Sequence, residues 1–497
     1  GLVADGAAGY KYYIKGGAFI NWTLLFRSVT GATTSLYAAM AGYSAAFGGD
    51  FVRVALTVTN GPLLSDTFSG TFGTPDVIGG AWNSVGTWAT AGGVVANTPV
   101  VIDTGLIANP SIEAAMPTVN GVAINYMSRC TIAQSAEQAK TGTKSIKLSG
   151  NGASGAGEFY YIWYQNALGL TNGKFYRQRT YLFFPSGQNA VFTSVKTTMK
   201  TGGVLSISEL ITTKDVWTES LITFRQNYNA ADEIKLGASS NSVTPNSAGL
   251  YFYADDLALE LLPISTLITN QALSTTDVLA EEVISAYTLG TQVGIVQSDR
   301  SFAAKAAATA AAGQTVLSLK EVTGVSGVGL AVTDGITVNG VVYTIASVTG
   351  GSNVAYNDVT KTQTITLGAN LGTEVLTDAK VGLDWASWNG SLIYFDGAGN
   401  IKLDEVLAGV FTSRGSTTTA FSANARLIVR KIGAEYRIFY NEALIGTAIS
   451  TVAVGAMVGT YWGMFSTLEA NKISNFVVYD TGNVTNAYST LDKYSRD

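Results

Sequence analysis

The sequence predicts an all-β chain built of multiple β-sandwiches, and three observations carry that prediction. Glycine is abundant at 55 residues while proline is scarce at 8, as expected of many tight turns between uninterrupted strands. Thr, Val, Ile, Tyr and Phe recur in short runs punctuated by Gly, Asn, Asp and Ser, the residue types of half-buried strands and their turns. Hydrophobic residues reach 47% against 13% charged, which is too apolar for a disordered chain. A length of 497 residues exceeds what one core supports, so roughly two to four domains are expected.

Near the start, Tyr10-Lys11-Tyr12-Tyr13-Ile14-Lys15 alternates as a strand, Gly16-Gly17 turns, and residues 19–26 continue as another. The runs Leu36-Tyr37-Ala38-Ala39-Met40 and Asp50-Phe51-Val52-Arg53-Val54 match, at nearly constant offset, Thr460-Tyr461-Trp462-Gly463-Met464 and Asn475-Phe476-Val477. Residues 1–60 are therefore expected to be the C-terminal half of the same kind of sandwich that residues 436–480 complete, a fragment or one whose opening strands another chain supplies.

The next unit opens with Leu64-Ser65-Asp66-Thr67-Phe68, turns at Gly79-Gly80-Ala81-Trp82 and Gly86-Thr87-Trp88, and a strand ending Asn97-Thr98-Pro99. Its remaining strands are expected only beyond residue 262, at 277–287, 291–297, 390–395, 400–407, 425–432, 436–441, 461–466 and 473–479. The expected division is a half-sandwich 1–60, a discontinuous sandwich 61–105 + 263–302 + 385–482, an inserted unit 106–262, a small inserted β domain 303–384 and a polar tail 483–497. Insertions at loop tips leave a core undisturbed because their two ends meet there.

Asp66-x-Phe68 with its Gly/Trp turns and Asn97-Thr98-Pro99 resembles the first strands of concanavalin-like, laminin-G-like sandwiches in phage tail and fibre proteins. Within 106–262 the telling stretches begin with Asn109-Pro110-Ser111-Ile112-Glu113, Thr143-Lys144-Ser145-Ile146-Lys147-Leu148 and Gly169-Leu170-Thr171-Asn172-Gly173-Lys174-Phe175-Tyr176. They continue with Val216-Trp217-Thr218-Glu219-Ser220-Leu221 and Leu250-Tyr251-Phe252-Tyr253-Ala254-Asp255-Asp256-Leu257. In this order and spacing they resemble the jelly-roll carbohydrate-binding modules attached to many polysaccharide hydrolases. The resemblance implies a structural calcium ion held by Glu113 and Asp256, with Asp255 as a substitute for Asp256. Carboxylate oxygens suit that hard cation, and a solvated acidic turn without metal is the alternative. Strand alternation sets Tyr251, Tyr253, Asp255 and Leu257 on one face and Phe252, Ala254, Asp256 and Ala258 on the other.

Aromatic rings stack on the flat C–H faces of sugars while planar polar groups take the hydroxyls. In Glu158-Phe159-Tyr160-Tyr161-Ile162-Trp163-Tyr164-Gln165 alternation gathers Phe159, Tyr161, Trp163 and Gln165 on one side and Tyr160, Ile162 and Tyr164 on the other, either face a candidate glycan platform, with Tyr126, and Arg177 or Arg179 near Tyr181, as additions to the row beside Gln165. A buried core row is the competing reading. Trp82 and Trp88, or Trp385 and Trp388, sit beside glycine turns, where tryptophans more often plug the end of a sandwich.

Several classes of function are excluded or disfavoured. There is no histidine, so His-based triads, His-ligated zinc and His general bases are absent. The single cysteine, Cys130, rules out an intrachain disulfide and reads as a small buried hydrophobe. Net charge is −5 without a basic cluster, which argues against nucleic acid. The longest apolar run, 303–312, is short and holds Lys305, so membrane insertion is not expected. Glycoside hydrolysis needs paired carboxylates on one face, whereas Asp404-Glu405 and Glu281-Glu282 are adjacent and point apart. Gly-x-Ser-x-Gly and phosphate-loop motifs are also missing.

The expected function is therefore that of a non-catalytic bacteriophage virion surface or tail-fibre protein, extracellular, binding host or environmental polysaccharide through the inserted jelly roll. Its partners would be other virion proteins and further copies of itself, with avidity raising weak individual contacts. The alternative is a purely structural capsid-decoration or extracellular filament subunit.

Overall fold

A computed structural model describes residues 2–4, 10–16, 19–27, 62–70, 82–99 and 101–480, except 115, 117, 120–121, 124–125, 153–159, 166–169, 172, 189–191, 202–203, 227–233, 241–248, 263–264, 324–328, 385–388, 442, 447–448 and 451–458. Every regular element among them is a strand, and the protein is all-β. The repeat expected from Tyr37, Met40 and Phe51, Trp385 and Trp388, and the tail 483–497 lie outside the described residues. Of residues 1–60, the strands Leu2–Ala4, Tyr10–Gly16 and Phe19–Arg27 form an antiparallel sheet.

Two large antiparallel sheets form a host sandwich. In one, Val278–Ala286 lies between Ala425–Ile432 and Lys472–Asp480, and the latter also pairs with Leu64–Asp66 and Val94–Thr98. In the other, the order runs Val410–Thr418, Asn400–Leu407, Gly390–Phe395, Val293–Ser298, Tyr461–Ser466, Thr266–Thr269, Trp82–Val85. Strands from three separated stretches of chain thus share one pair of sheets. Between them lies a core containing Trp82, Trp88, Ile295, Phe395, Tyr436, Trp462 and Phe476, where truncating one large ring costs about 3–5 kcal/mol. Asp66 explains the Asp-x-Phe motif. Its buried carboxylate accepts hydrogen bonds from the Phe68 N–H at 2.7 Å and the Trp82 indole at 2.6 Å.

Val293–Ser298, Gly390–Phe395 and Tyr461–Ser466 are buried at every position, because both faces of their sheet are covered. The back of that sheet, including Val296, Leu392, Tyr394 and Phe465, shares a second core with the small unit 303–384. That unit is a barrel: Val316–Thr323 pairs with Ala303–Ala306 on one side and with Thr362–Leu367 on the other, closing the sheet. Closure leaves no long unpaired edge.

Residues 106–262 hold two larger antiparallel sheets and a small one of Ile107–Ala108, Thr118–Val119 and Val122–Ala123. One orders Cys130–Ser135, Ser145–Gly150, Tyr251–Leu262, Phe175–Phe183 and Trp217–Arg225. The other orders Tyr126–Ser128, Tyr160–Gln165, Ile234–Ser240, Val195–Thr201 and Val204–Ile207. Their core contains Ile146, Leu148, Leu182, Ile222, Phe224 and Phe252, and Cys130 packs there as a buried residue.

This module is fastened to the host. Arg225 donates to Asp404 at 2.6 Å while its guanidinium lies 4.2 Å from the Phe411 ring centre. Tyr394 donates to the same Asp404 oxygen at 2.7 Å. Thr223 bonds Gln292 and Thr467, each at 2.7 Å, and Lys174 meets Asp384 at 3.0 Å. Phe175 packs edge-on against Phe411 and Phe465.

Candidate functional site

The acidic pair of the module sits on strand Tyr251–Leu262. Opposite it, Arg179 pairs with Ala258 but Tyr181 pairs with Asp255, so the acidic strand carries one extra residue, a β-bulge. Asp256 absorbs it with a left-handed φ of 48°. Alternation is reset there: Phe252 and Ala254, then Leu257 and Leu259, face the core. This corrects the uniform alternation expected from the sequence, in which the two aspartates stand on opposite faces.

Both aspartates and Glu113 converge instead on the turn 140–144. Asp255 is fully buried and accepts from the N–H groups of Lys140 at 2.7 Å, Thr141 at 3.2 Å and Asp256 at 2.8 Å. Asp256 accepts from the Thr141 hydroxyl at 2.6 Å. Glu113 accepts from the Thr143 N–H at 2.7 Å, the Thr143 hydroxyl at 2.8 Å and the Lys144 N–H at 2.9 Å. Gly142 makes this approach possible, since at its φ of +64° any Cβ would run into the Glu113 carboxylate. Asn109 presents Glu113 by accepting the Glu113 N–H at 3.0 Å, and Gln134 donates to the Ile112 carbonyl. The Thr143 N–H, followed by the Thr143 hydroxyl and the Lys144 N–H, lowers the Glu113 pKa. Burial raises that of Asp255, against the pull of the three N–H groups.

This donor set does not fit calcium as it stands. A calcium site supplies about six to eight oxygens, whereas the turn offers these carboxylates N–H and O–H donors. The Lys144 ammonium lies 3.2 Å from the Glu113 carbonyl. Among the described residues no group of three His, Cys, Asp or Glu is placed to hold a metal ion.

On the outer face of the same sheet runs an aromatic row that sequence reading missed. Lys147 stands opposite Tyr253, Tyr253 opposite Phe183, and Phe183 opposite Trp217. Ring centres are 6.0 Å apart for Phe183 and Tyr253, 5.4 Å for Phe183 and Trp217, and 5.7 Å for Tyr251 and Tyr253. Lys147 lies 4.5 Å from the Tyr251 ring centre and pairs with Glu137 at 2.6 Å. Glu137 also accepts from the Tyr253 hydroxyl at 2.6 Å. Those two hydrogen bonds lower the Glu137 pKa, while burial first and Glu137 second raise that of Tyr253. Trp217 and Tyr251 remain partly exposed. The sequence signal was present in Tyr181-x-Phe183 and Tyr251-x-Tyr253, but joining them required the strand pairing.

The expected platform lies on the other sheet. There Met127 is opposite Tyr161 and Tyr126 opposite Ile162, so Tyr126 is one register position out of step with Tyr161, Trp163 and Gln165. Ala238, Leu236 and Ile234 pair with those three in turn. Arg177 and Arg179 belong to the sheet of the aromatic row and not to this one.

Trp82 and Trp88 are core residues. Asp404 and Glu405 are engaged by Arg225 and Arg414 respectively. Glu281 meets Arg426, whereas Glu282 is buried in the host core with neither oxygen hydrogen-bonded. No helix among the described residues is long and apolar enough to cross a membrane.

No family model matches the chain, and no curated protein matches it. Similar solved structures include a "Family 16 Carbohydrate Binding Module-2", 19% identical with a TM-score of 0.23, covering 31% of this chain and 99% of that one. Another is the CBM22-1 xylan-binding domain from Paenibacillus barcinonensis, 13% identical with a TM-score of 0.22, covering 40% and 94% respectively. A third is the CBM22-1-CBM22-2 tandem domain from the same organism, 10% identical with a TM-score of 0.25, covering 76% and 99%. Scores this low assign nothing to this chain, and the functional reading rests on its own geometry.

Proposed function

We propose that this chain is a non-catalytic, polysaccharide-binding part of an extracellular surface assembly of the bacteriophage virion or tail-fibre kind. The observation that carries the reading is the outer row Tyr253, Phe183 and Trp217 with Tyr251 beside it, flanked by Lys147 and Glu137. Trp217 and Tyr251, propped on the buried Phe183 and Tyr253, offer stacking surfaces to sugar C–H faces, and the flanking charged groups offer both donors and acceptors to hydroxyls. Carboxylates elsewhere support a role without catalysis, because Asp404 and Glu405 are each held by an arginine. Copies of this chain beside other virion proteins would multiply a weak contact into avidity.

The test is native gel retardation of the full chain by soluble polysaccharides, with two variants: Trp217→Ala combined with Tyr251→Ala, and Trp163→Ala on the opposite sheet. The reading expects retardation that the double variant abolishes and Trp163→Ala leaves intact. Loss with Trp163→Ala alone would move the site to the other sheet. No retardation by any polysaccharide would favour the second reading, a purely structural decoration or filament subunit. The buried junction through Arg225 and Asp404 favours that reading too, since it suits a rigid spacer.

Calcium is a separable part of the proposal. Binding at Glu113 and Asp256 would require the turn 140–144 to exchange its N–H groups for carbonyls. A rise in melting temperature on adding calcium, lost in Glu113→Gln, supports it, and no response to calcium or chelator removes it.

A further inference from the structure

Beside the aromatic row, on the same outer face, Tyr181 carries two cations. The Lys140 ammonium lies 4.8 Å from its ring centre and the Arg179 guanidinium 5.7 Å. Neither is neutralised at hydrogen-bonding distance. Lys140 has no carboxylate partner among the described residues, and the Arg179 Nε is buried without an acceptor. The acids nearest Arg179, Glu219 and Glu260, stand at 3.8 and 3.9 Å, and Glu260 is already engaged by Arg177 at 2.5 Å. Asp255, opposite Tyr181 in register, has its carboxylate committed to the N–H groups of Lys140, Thr141 and Asp256. Lys147, at the far side of the face, differs in having Glu137 at 2.6 Å.

The Arg179 side chain keeps 27% of its surface exposed and has no carboxylate at hydrogen-bonding distance, so an acceptor arriving from solution meets a cation not already committed. The planar fork of arginine matches a carboxylate, and an ammonium adds a point charge beside it. We infer that Lys140 and Arg179, mounted on Tyr181, bind the carboxylate of a uronate-containing polysaccharide whose sugar rings stack on Trp217 and Tyr251. The inference rests on the polysaccharide-binding reading and names the class of glycan for that same surface.

The experiment measures binding of the full chain to polygalacturonate, to its fully methyl-esterified form and to dextran sulfate by calorimetry at low salt. The free acid binds about tenfold more tightly than the ester, or better, a gap near 1.4 kcal/mol. Lys140→Gln and Arg179→Gln each close that gap, whereas Trp217→Ala weakens both glycans alike. Lys140→Gln keeps the backbone N–H bonded to Asp255, so it decides the question should Arg179→Gln fail to fold. Equal affinity for acid and ester overturns the inference while leaving the polysaccharide reading intact. Dextran sulfate bound as tightly as polygalacturonate also overturns it, since charge alone would then suffice. Failure to bind any of the three overturns the inference, and the reading beneath it then stands or falls by the gel retardation with neutral polysaccharides.

Discussion

Two fully buried carboxyls in this molecule live under opposite conditions. Asp404, in the seam between module and host, is met by Arg225 at 2.6 Å, Tyr394 at 2.7 Å and Lys402 at 3.3 Å. Glu282, in the host core between Leu427 and Phe476 of the neighbouring strands, has no hydrogen-bond partner among the described residues. Burial alone raises the Glu282 pKa well above its ordinary value, because desolvation penalises the charged form and no donor offsets it. The seam surrounds its carboxyl with donors, and the core leaves its own without any.

The comparison breaks most violently at Arg225. Arg225→Met strands the Asp404 charge and costs about 3–5 kcal/mol in urea unfolding. Adding Asp404→Leu recovers most of it, because a buried pair replaced by apolar groups is often close to neutral. Equal losses in the single and double variants would show that the ion pair itself, and not the stranded charge, matters.

Glu282→Gln sharpens the other side. Because the folded pKa is raised, the folded state binds more protons, and stability is lost as pH climbs from the ordinary glutamate value through the folded one. The variant therefore gains about 1–3 kcal/mol over wild type near pH 7, and the gain vanishes near pH 4. Thermal melts across that range check it, and a constant gap at every pH contradicts it.

Smaller effects are expected where a carboxylate is held by N–H groups. Gly142→Ala, forcing a left-handed residue against Glu113, costs about 1–2 kcal/mol, measurable as a lowered melting temperature. Glu137→Gln, at an exposed pair with Lys147, moves the melting temperature least of all at neutral pH, because solvent screens the pair. Its lowered pKa makes even that small contribution fade as pH falls through the carboxylate range.

Fold class was legible because glycine-punctuated alternation needs only local pattern. Strands expected at 425–432 and 461–466 form at Ala425–Ile432 and Tyr461–Ser466, since their runs of Val, Ile, Tyr and Phe leave no helical alternative. The face assignment failed at one residue, Asp256, whose left-handed φ no alternation rule contains. Convergence of Glu113, Asp255 and Asp256 on the turn 140–144 was hidden for the same reason. The aromatic row was illegible in a different way: Lys147, Tyr253, Phe183 and Trp217 meet only through pairings between distant strands. Glu282 gave no warning at all, since an adjacent Glu281 that does reach Arg426 reads identically in sequence.

Two strand pairings shape how the chain assembles. Asp103 lies against Glu260, and Ala303 against Gly382, so each insert delivers its two ends side by side. Once module and barrel have folded, each acts on the host like a short hairpin. The entropy of closing a long loop is then met inside the insert, before the host sheets have to form. An arrangement that looks topologically demanding becomes a sequence of local steps, and excising either insert in favour of a tight turn should leave the host able to find itself.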